Sequence, residues 1–301
     1  MPGSTAERAI SPAPAMNWEQ SVQWLRDQPG QSELVRACYF DDPLPEAAER
    51  FRQSAEWKAI AALLPPPPGA ALDLGAGRGI SSYALARDGW TVTALEPDPS
   101  PLVGAGAIRS LAASSGTAIT VVSEFAERLP FADGSFDVVN CRQVLHHARD
   151  LRQTCREIFR VLKPGGMMVA TREHVISRRE DLQAFLDGHA LHRFYGGENA
   201  FLLDEYLDAL RSAGLKVDRA MAPLDSPINY FPMTPEQCFT YCTRPAAGLI
   251  GRPAADLLFS PRHALGRVLL RLLVAALNRR DRTPGRLYSF VASKPAARGT
   301  A

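Results

Sequence analysis

The sequence has no apolar run long enough to cross a bilayer. Its leucine-rich stretch Val268–Leu277 is interrupted by Arg271 and falls far short of the ~20 residues that a spanning helix requires. Net charge is equally scarce, since 34 basic and 32 acidic residues leave +2. Without a basic stripe interleaved with aromatics, nucleic acid is not an expected partner. Cysteine is sparse as well. The five residues Cys38, Cys141, Cys155, Cys238 and Cys242 are odd in number and scattered, which excludes a regular disulfide framework and fits reduced thiols in a cytoplasm. Cys238 and Cys242 lie one helical turn apart with no second pair to complete a zinc site, so they read as core thiols. The opening "MPGSTAERAISPAPAM" lacks the apolar centre of a signal peptide and reads as a disordered tail.

What is present is a pattern of alternating elements. A chain of 301 residues with 46% hydrophobic content can bury one large core with decoration, or two small ones. Residues 17–64 carry helical periodicity that ends at "PPPPG", where proline removes amide donors and favours extended geometry. Short apolar runs then alternate with helical patterns: strands over 70–74, 91–95, 119–122, 136–141 and 167–171, and helices over 80–88, 102–113 and 151–162. "KPGG" reads as the turn before the fifth strand, and a helix over 202–213 leads through Gly214 into a strand over 215–222. This alternation predicts an α/β, doubly wound, Rossmann-like sheet. The expected division is a tail and N-terminal helical cap (1–66), a core (67–224), a helical insertion (225–284) and a final strand of the core (285–296).

Three glycines, Gly75, Gly77 and Gly79, follow the first strand in "LDLGAGRG". In a doubly wound sheet this strand-to-helix turn is where a ligand meets bare backbone. The spacing G-x-G-x-G, preceded by Asp73, departs from the nicotinamide fingerprint G-x-G-x-x-G. Glu96 closes the second strand about twenty residues on, a position from which a carboxylate can accept both hydrogen bonds of a ribose diol. The bland alternative is that the glycines only turn the chain and Glu96 only caps the next helix.

Taken together, "LDLGAGRG", "ALEPD", "AERLPFADGSFDVV", "LHH" and "RVLKPGG" resemble the class I S-adenosylmethionine-dependent methyltransferases, in the branch that includes ubiquinone- and menaquinone-pathway enzymes. The resemblance runs from about Ala70 to Ala222. It implies a seven-stranded sheet with an antiparallel last strand, S-adenosylmethionine as cofactor, and methyl transfer to a small-molecule acceptor. By position it implies that Gly75, Ala76, Gly77 and Gly79 approach the amino-acid part of the cofactor and that Glu96 binds ribose. Ala126 and Glu127 would lie at adenine, and Cys141 would face the methionine end. Phe125 stands where the family usually has an adenine-binding aspartate, so stacking and backbone bonds are expected there instead.

The acceptor is expected over the ends of the fourth and fifth strands, where "CRQVLHH" supplies Arg142, Gln143, His146 and His147 and "TREHVIS" supplies Arg172, Glu173 and His174. His174 and His146 are the candidate proton acceptors. The cluster "HALHRFYGGENA" reads as an acceptor loop contributing His192 and Tyr195, with Glu198 or Asn199 as a possible cap of the following helix. His189 and His192 sit one turn apart near Glu198, but the spacing matches no strong ligand pattern, and no metal is expected. Tyr39 and Phe40 either wall the cofactor pocket or, the more common use of such aromatics, pack in the core. The helix within "HALGRVLLRLLVAALNRR" is either a lid burying its leucines, or an acceptor-lining element. In the second case Arg267 and Arg271 would bind an amphiphilic, acidic acceptor. The competing functional classes are a nicotinamide-dependent oxidoreductase, disfavoured by the glycine spacing, and a cofactor-binding scaffold without transfer activity.

Overall fold

The computed structural model describes residues 16–296, so the expected tail lies, but for Met16, outside the described residues. Four helices come first: α1 (Trp18–Arg26), α2 (Ser32–Ala37), α3 (Leu44–Gln53) and α4 (Ala55–Ala61). Asn17 starts α1 by a capping box with Gln20, and Ser54 caps α4 by accepting the Trp57 amide, so two otherwise orphaned helix termini are satisfied locally. The core then runs β1 (Ala70–Leu74), α5 (Ile80–Arg87), β2 (Thr91–Leu95), α6 (Ala105–Ser115), β3 (Ile119–Val122), β4 (Phe136–Arg142), α7 (Leu151–Val161) and β5 (Leu162–Ile176). After it come the short helices α8 (Asp181–Gly188) and α9 (His192–Tyr195), β6 (Phe201–Leu202), α10 (Leu203–Ser212) and β7 (Lys216–Met221). The insertion contains α11 (Pro227–Tyr230), α12 (Pro235–Ile250), α13 (Arg252–Leu258) and α14 (Ala264–Arg280), and the chain returns as β8 (Arg286–Ser293).

The sheet order is β3-β2-β1-β4-β5-β8-β7, with β6 pairing β5. Strands β1 to β5 are parallel and β8 runs antiparallel between β5 and β7. The central strands are buried on both faces, as helix-covered parallel strands must be. Leu72, Leu74, Val138 and Val139 are all fully buried, each worth roughly 1.5–3 kcal/mol relative to exposure. Because β1, β2, β4 and β5 all point the same way, their carboxyl ends open on one edge, and that edge carries the site.

Three departures from the sequence reading have local causes. The fifth strand is longer than 167–171 because "KPGG" is drawn into it, and the Gly165 amide pairs with the Lys294 carbonyl. The sheet has an eighth, two-residue strand, so α10 begins at Leu203. Glu205 rather than Glu198 or Asn199 then accepts the Leu202 amide. Helix α6 starts at Ala105 rather than Leu102, because the Ser100 hydroxyl accepts the Leu102 and Val103 amides and holds a separate turn.

The insertion is helical as expected, but the acceptor-lining use of α14 does not match its placement. Only Gly266 and Asn278 of this helix are buried, while Leu265 and Leu272 are 62% and 61% exposed. Asn278 ties it down, accepting the Leu224 amide and donating to Asp225. Leu269, Leu270, Leu273 and Leu277 are half-buried along one side of it, whereas Arg267 and Arg271 do not line the cavity described below. Among the described residues no helix is long and apolar enough to cross a membrane.

Candidate active site

The glycine loop is built by conformations that only glycine adopts at low cost. Gly75, Gly77 and Gly79 all have positive φ, at 63°, 54° and 82°. Their surroundings differ. A Cβ on Gly75 would come within 2.7 Å of Val144, and one on Gly79 within 3.2 Å of Ile108, so these two glycines permit close packing. A Cβ on Gly77 would meet nothing nearer than the Val103 carbonyl at 3.9 Å, so this glycine opens onto free space. Glu96 fastens the loop, accepting the Gly77 amide at 2.7 Å and the Asp98 amide at 3.0 Å. Burial raises its pKa, while those two amides oppose the shift. Asp73, wholly buried beneath the loop, accepts from Ser82 (2.6 Å) and Asn140 (2.8 Å) and so joins β1 to α5 and β4. Burial outweighs these bonds and lifts its pKa to about 6.

A cavity of about 550 Å³ extends from this loop along the carboxyl edge. Asp73, Gly75, Ala76, Gly77, Glu96, Ala126 and Glu127 line one end of it. Phe125 is exposed there with the Arg149 guanidinium 5.5 Å from its ring centre, an aromatic face suited to stacking. The N-terminal cap forms the opposite wall, with Trp18, Leu25, Leu34, Tyr39 and Phe40. Arg78, from within the glycine loop, pins that wall by donating to the Tyr39 and Asp41 carbonyls (2.8 and 3.0 Å) and to the Asp42 carboxylate.

Arg142 also lines the cavity, but its guanidinium is paired with fully buried Glu56 at 2.8 Å. Gln143 and Arg172 have positive φ (58° and 60°), as does Tyr39 (59°). The three non-glycine outliers among the described residues therefore surround one buried charge cluster beside the site, where surrounding structure must hold the strain.

The other end of the cavity is lined by His146, His147, His174 and His189, four of the six histidines in the chain, with Tyr195 and Glu198. Each contributing segment is fixed from outside. Glu173 accepts the Val144, Leu145 and His146 amides (3.1, 3.1 and 3.0 Å) and meets His146 Nδ1 at 2.7 Å, which locks the turn after β4 to the end of β5. His174 Nδ1 meets the Gly285 carbonyl, and His147 Nδ1 the Gly197 carbonyl, each at 2.8 Å. A carbonyl can only accept, so both rings carry hydrogen on Nδ1 and present Nε2 as a lone pair.

The electrostatics follow from burial and neighbours. Burial depresses the His146 pKa, but Glu173 and then Glu198 outweigh it and raise it to about 9. Burial and the nearby His146 charge push His174 down to about 4, so it is neutral at physiological pH. Burial pushes Glu198 upward, yet the surrounding histidines hold it well below the usual carboxylate range.

Several expected roles change. Cys141, expected to face the cofactor, is fully buried, packed in the core with Cys155 and absent from the cavity wall. Glu173 is enclosed and its oxygens are taken by backbone and His146, which makes it a positioning group rather than a substrate contact. His192 lies outside the cavity. Gly79 packs against Ile108 behind the loop instead of lining the cavity. Sequence reasoning did not single out Arg78, Glu56 or the placement of Glu198 against His146. A charged residue inside a glycine loop was an available signal for Arg78. The partners of Glu56 and Glu198 lie 86 and 52 positions away, beyond any spacing argument.

Residues 72–170 match the family model for a methyltransferase domain. The chain is 37% identical over 101 residues to a ubiquinone biosynthesis O-methyltransferase of Pseudomonas aeruginosa, a match covering 32% of this chain and 41% of that protein. It is 37% identical over 134 residues to the 2-methyl-6-phytyl-1,4-hydroquinone methyltransferase of Synechocystis, covering 42% and 40% of the two chains. The chain thus spans about two-fifths of the length of these relatives. In fold it resembles the [4+2]-cyclase SpnF (TM-score 0.54, 22% identity, 84% and 82% of the two chains). A geranyl diphosphate methyltransferase solved in complex with SAM is also similar (TM-score 0.54, 15% identity, 85% and 94%). Residues 72–170 thus match a methyltransferase domain, and the likeness to the solved structures is one of fold.

Proposed function

We propose that this chain transfers a methyl group from S-adenosylmethionine to a small-molecule acceptor. The observation that carries the reading is the Gly77–Glu96 pair. A glycine backbone open to the cavity stands beside a buried carboxylate with one backbone bond on each oxygen and lone pairs remaining. Such a carboxylate fits a ribose diol. Ala126, Phe125 and Glu127 supply the surface for adenine, and the amino-acid end would lie over Gly75–Gly77. When bound, the cofactor supplies a sulfonium methyl that leaves by in-line displacement.

The residues of this chain then have three tasks. The N-terminal cap, held by Arg78, excludes water from the cavity. The walls at Arg142, Gln143 and Tyr195 orient the acceptor. His174, neutral and with Nε2 free, faces the acceptor end as the group to receive or share an acceptor proton. The quinone-pathway names of the two curated relatives support an acceptor ring bearing hydroxyl groups. An acidic, amphiphilic acceptor gains no support from Arg267 and Arg271, which lie away from the cavity. Five free cysteines support a reducing compartment such as the cytoplasm.

S-adenosylhomocysteine should raise the melting temperature, by about 2.7 kcal/mol of stabilisation at one hundred times its Kd, whereas NAD should have no effect. Incubation of the protein and donor with a panel of hydroxylated ring compounds should then give a product heavier by one CH2. Stabilisation by NAD alone would sink the reading, and cofactor binding without any transfer would favour the scaffold.

A further inference from the structure

We propose that His146, His174 and Glu198 form a site for a divalent first-row transition-metal ion, with its open coordination positions facing the acceptor end of the cavity. One ligand atom from each residue lies within 4.8 Å of the other two. Ligands on one ion, at bonds of about 2.0–2.2 Å, stand roughly 3–3.5 Å apart, so side-chain adjustments of about an ångström complete the site. Two histidines and one carboxylate on a single side of an ion leave the other positions free, the arrangement used where an ion must also hold a substrate.

Three features point to a cation rather than a chance cluster. First, the nitrogens that would not bind are already oriented. His146 Nδ1 rests on the Glu173 carboxylate and His174 Nδ1 on the Gly285 carbonyl, so both Nε2 atoms are turned inward by the outer partners that metal-bound imidazoles ordinarily have. Second, the Glu198 side chain is only 5% exposed and its two oxygens are treated differently. Oε1 receives the Tyr195 hydroxyl and lies 3.7 Å from His189, while Oε2 is buried without a hydrogen-bond partner, 3.5 Å from His146 Nε2. The His146 ring stands against this oxygen without hydrogen-bonding it, so the lone pairs of Oε2 remain open to an ion. Third, two carboxylates converge on this ring from opposite sides, Glu173 at 2.7 Å from Nδ1 and Glu198 at 3.5 Å from Nε2, so the site already holds the negative charge that a cation needs.

The proposal deepens the methyl-transfer reading by naming the acceptor class, a molecule with a hydroxyl oxygen able to occupy an open position on the ion. That hydroxyl would give its proton to the Nε2 lone pair of His147, which lines the same end of the cavity, and its oxygen would form the new bond to the methyl carbon. The carbon–sulfur bond breaks as the electron pair returns to the sulfur of the sulfonium donor. In this arrangement His174 acts through the ion, not as the proton acceptor itself.

The full-length chain, freed of metal by a chelator, is titrated with zinc(II), manganese(II) and cobalt(II), and bound metal is counted by equilibrium dialysis and elemental analysis. One ion per chain is expected, with the cobalt form showing the absorption of imidazole coordination. Glu198→Gln and His174→Ala should each weaken binding by at least about tenfold. Because His146→Ala strands Glu173 and can unfold the site, these two variants carry the test. S-adenosylhomocysteine binding, measured in parallel, shows that they are folded. Absence of a stoichiometric ion overturns the proposal, as does undiminished affinity in both variants. If S-adenosylhomocysteine still binds in those cases, the methyl-transfer reading stands. Metal binding without S-adenosylhomocysteine binding keeps the ion site and removes the transfer reading.

Discussion

At the residue scale, the three glycines of "LDLGAGRG" serve two purposes, and substitutions should separate them. Gly75→Ala drives a Cβ into Val144, so its main effect should be a lower melting temperature. Gly77→Val places its side chain in the cavity, so cofactor affinity should fall much further than stability, as titration calorimetry would register. Glu96→Ala should weaken S-adenosylhomocysteine binding by about 1.5–3 kcal/mol, the range for hydrogen bonds to a charged group. Unchanged affinity in both Gly77→Val and Glu96→Ala would remove the loop from the cofactor site. Asp73 makes a pH prediction. Its pKa is 3.8 ordinarily and about 6 in the folded protein, so the fold holds this proton more tightly than the unfolded chain. The stability linked to that proton is present below pH 3.8, is lost as pH rises through about 6, and is level above it. Asp73→Asn, which cannot ionise, should therefore gain melting temperature relative to the parent between pH 4 and pH 6. A constant difference across that interval would refute the assignment.

Elements differ in how much of them the sequence discloses, and the difference is physical. The boundaries of β1, β2 and β3 coincide with their apolar runs because turn residues bound them on both sides. Strand β5 outgrew its run because pairing with β8 carries the ladder beyond what its own composition suggests. Cys141 shows the limit for side chains. In a strand apolar on both faces, alternation establishes that Cys141 points opposite to Arg142, but not which of them meets the cavity. The glycine end of the site is local in sequence and was legible. The histidine end joins residues from the turn after β4, from β5 and from the 189–198 segment, and only tertiary structure brings Glu198 to His146. Arg78 is the joint between the cap and the sheet, so Arg78→Met should free the segment around residues 39–42. Limited proteolysis should then cut there sooner, with the circular dichroism of the sheet preserved. Parental resistance to cleavage would show that apolar packing alone holds the cap.

For the molecule as a whole, the layout assigns opposite fates to its two helical additions. The N-terminal helices close over the carboxyl edge and give the cavity an aromatic and aliphatic wall, while α12–α14 of the insertion lie away from it with large leucines exposed. A ligand that bridges the glycine loop and the cap must suppress local opening of the cap, because every opening of that wall would expose the bound molecule to water. Hydrogen–deuterium exchange should therefore slow within residues 18–42 and around 75–79 when S-adenosylhomocysteine is added. Exchange within 235–280 should be unchanged, since no residue there lines the cavity. Protection of the insertion but not of the cap would place the ligand elsewhere. Protection of both would mean that the insertion moves onto the site when ligand binds, which the Arg267 and Arg271 substitutions, with acceptor affinity as the readout, would then test.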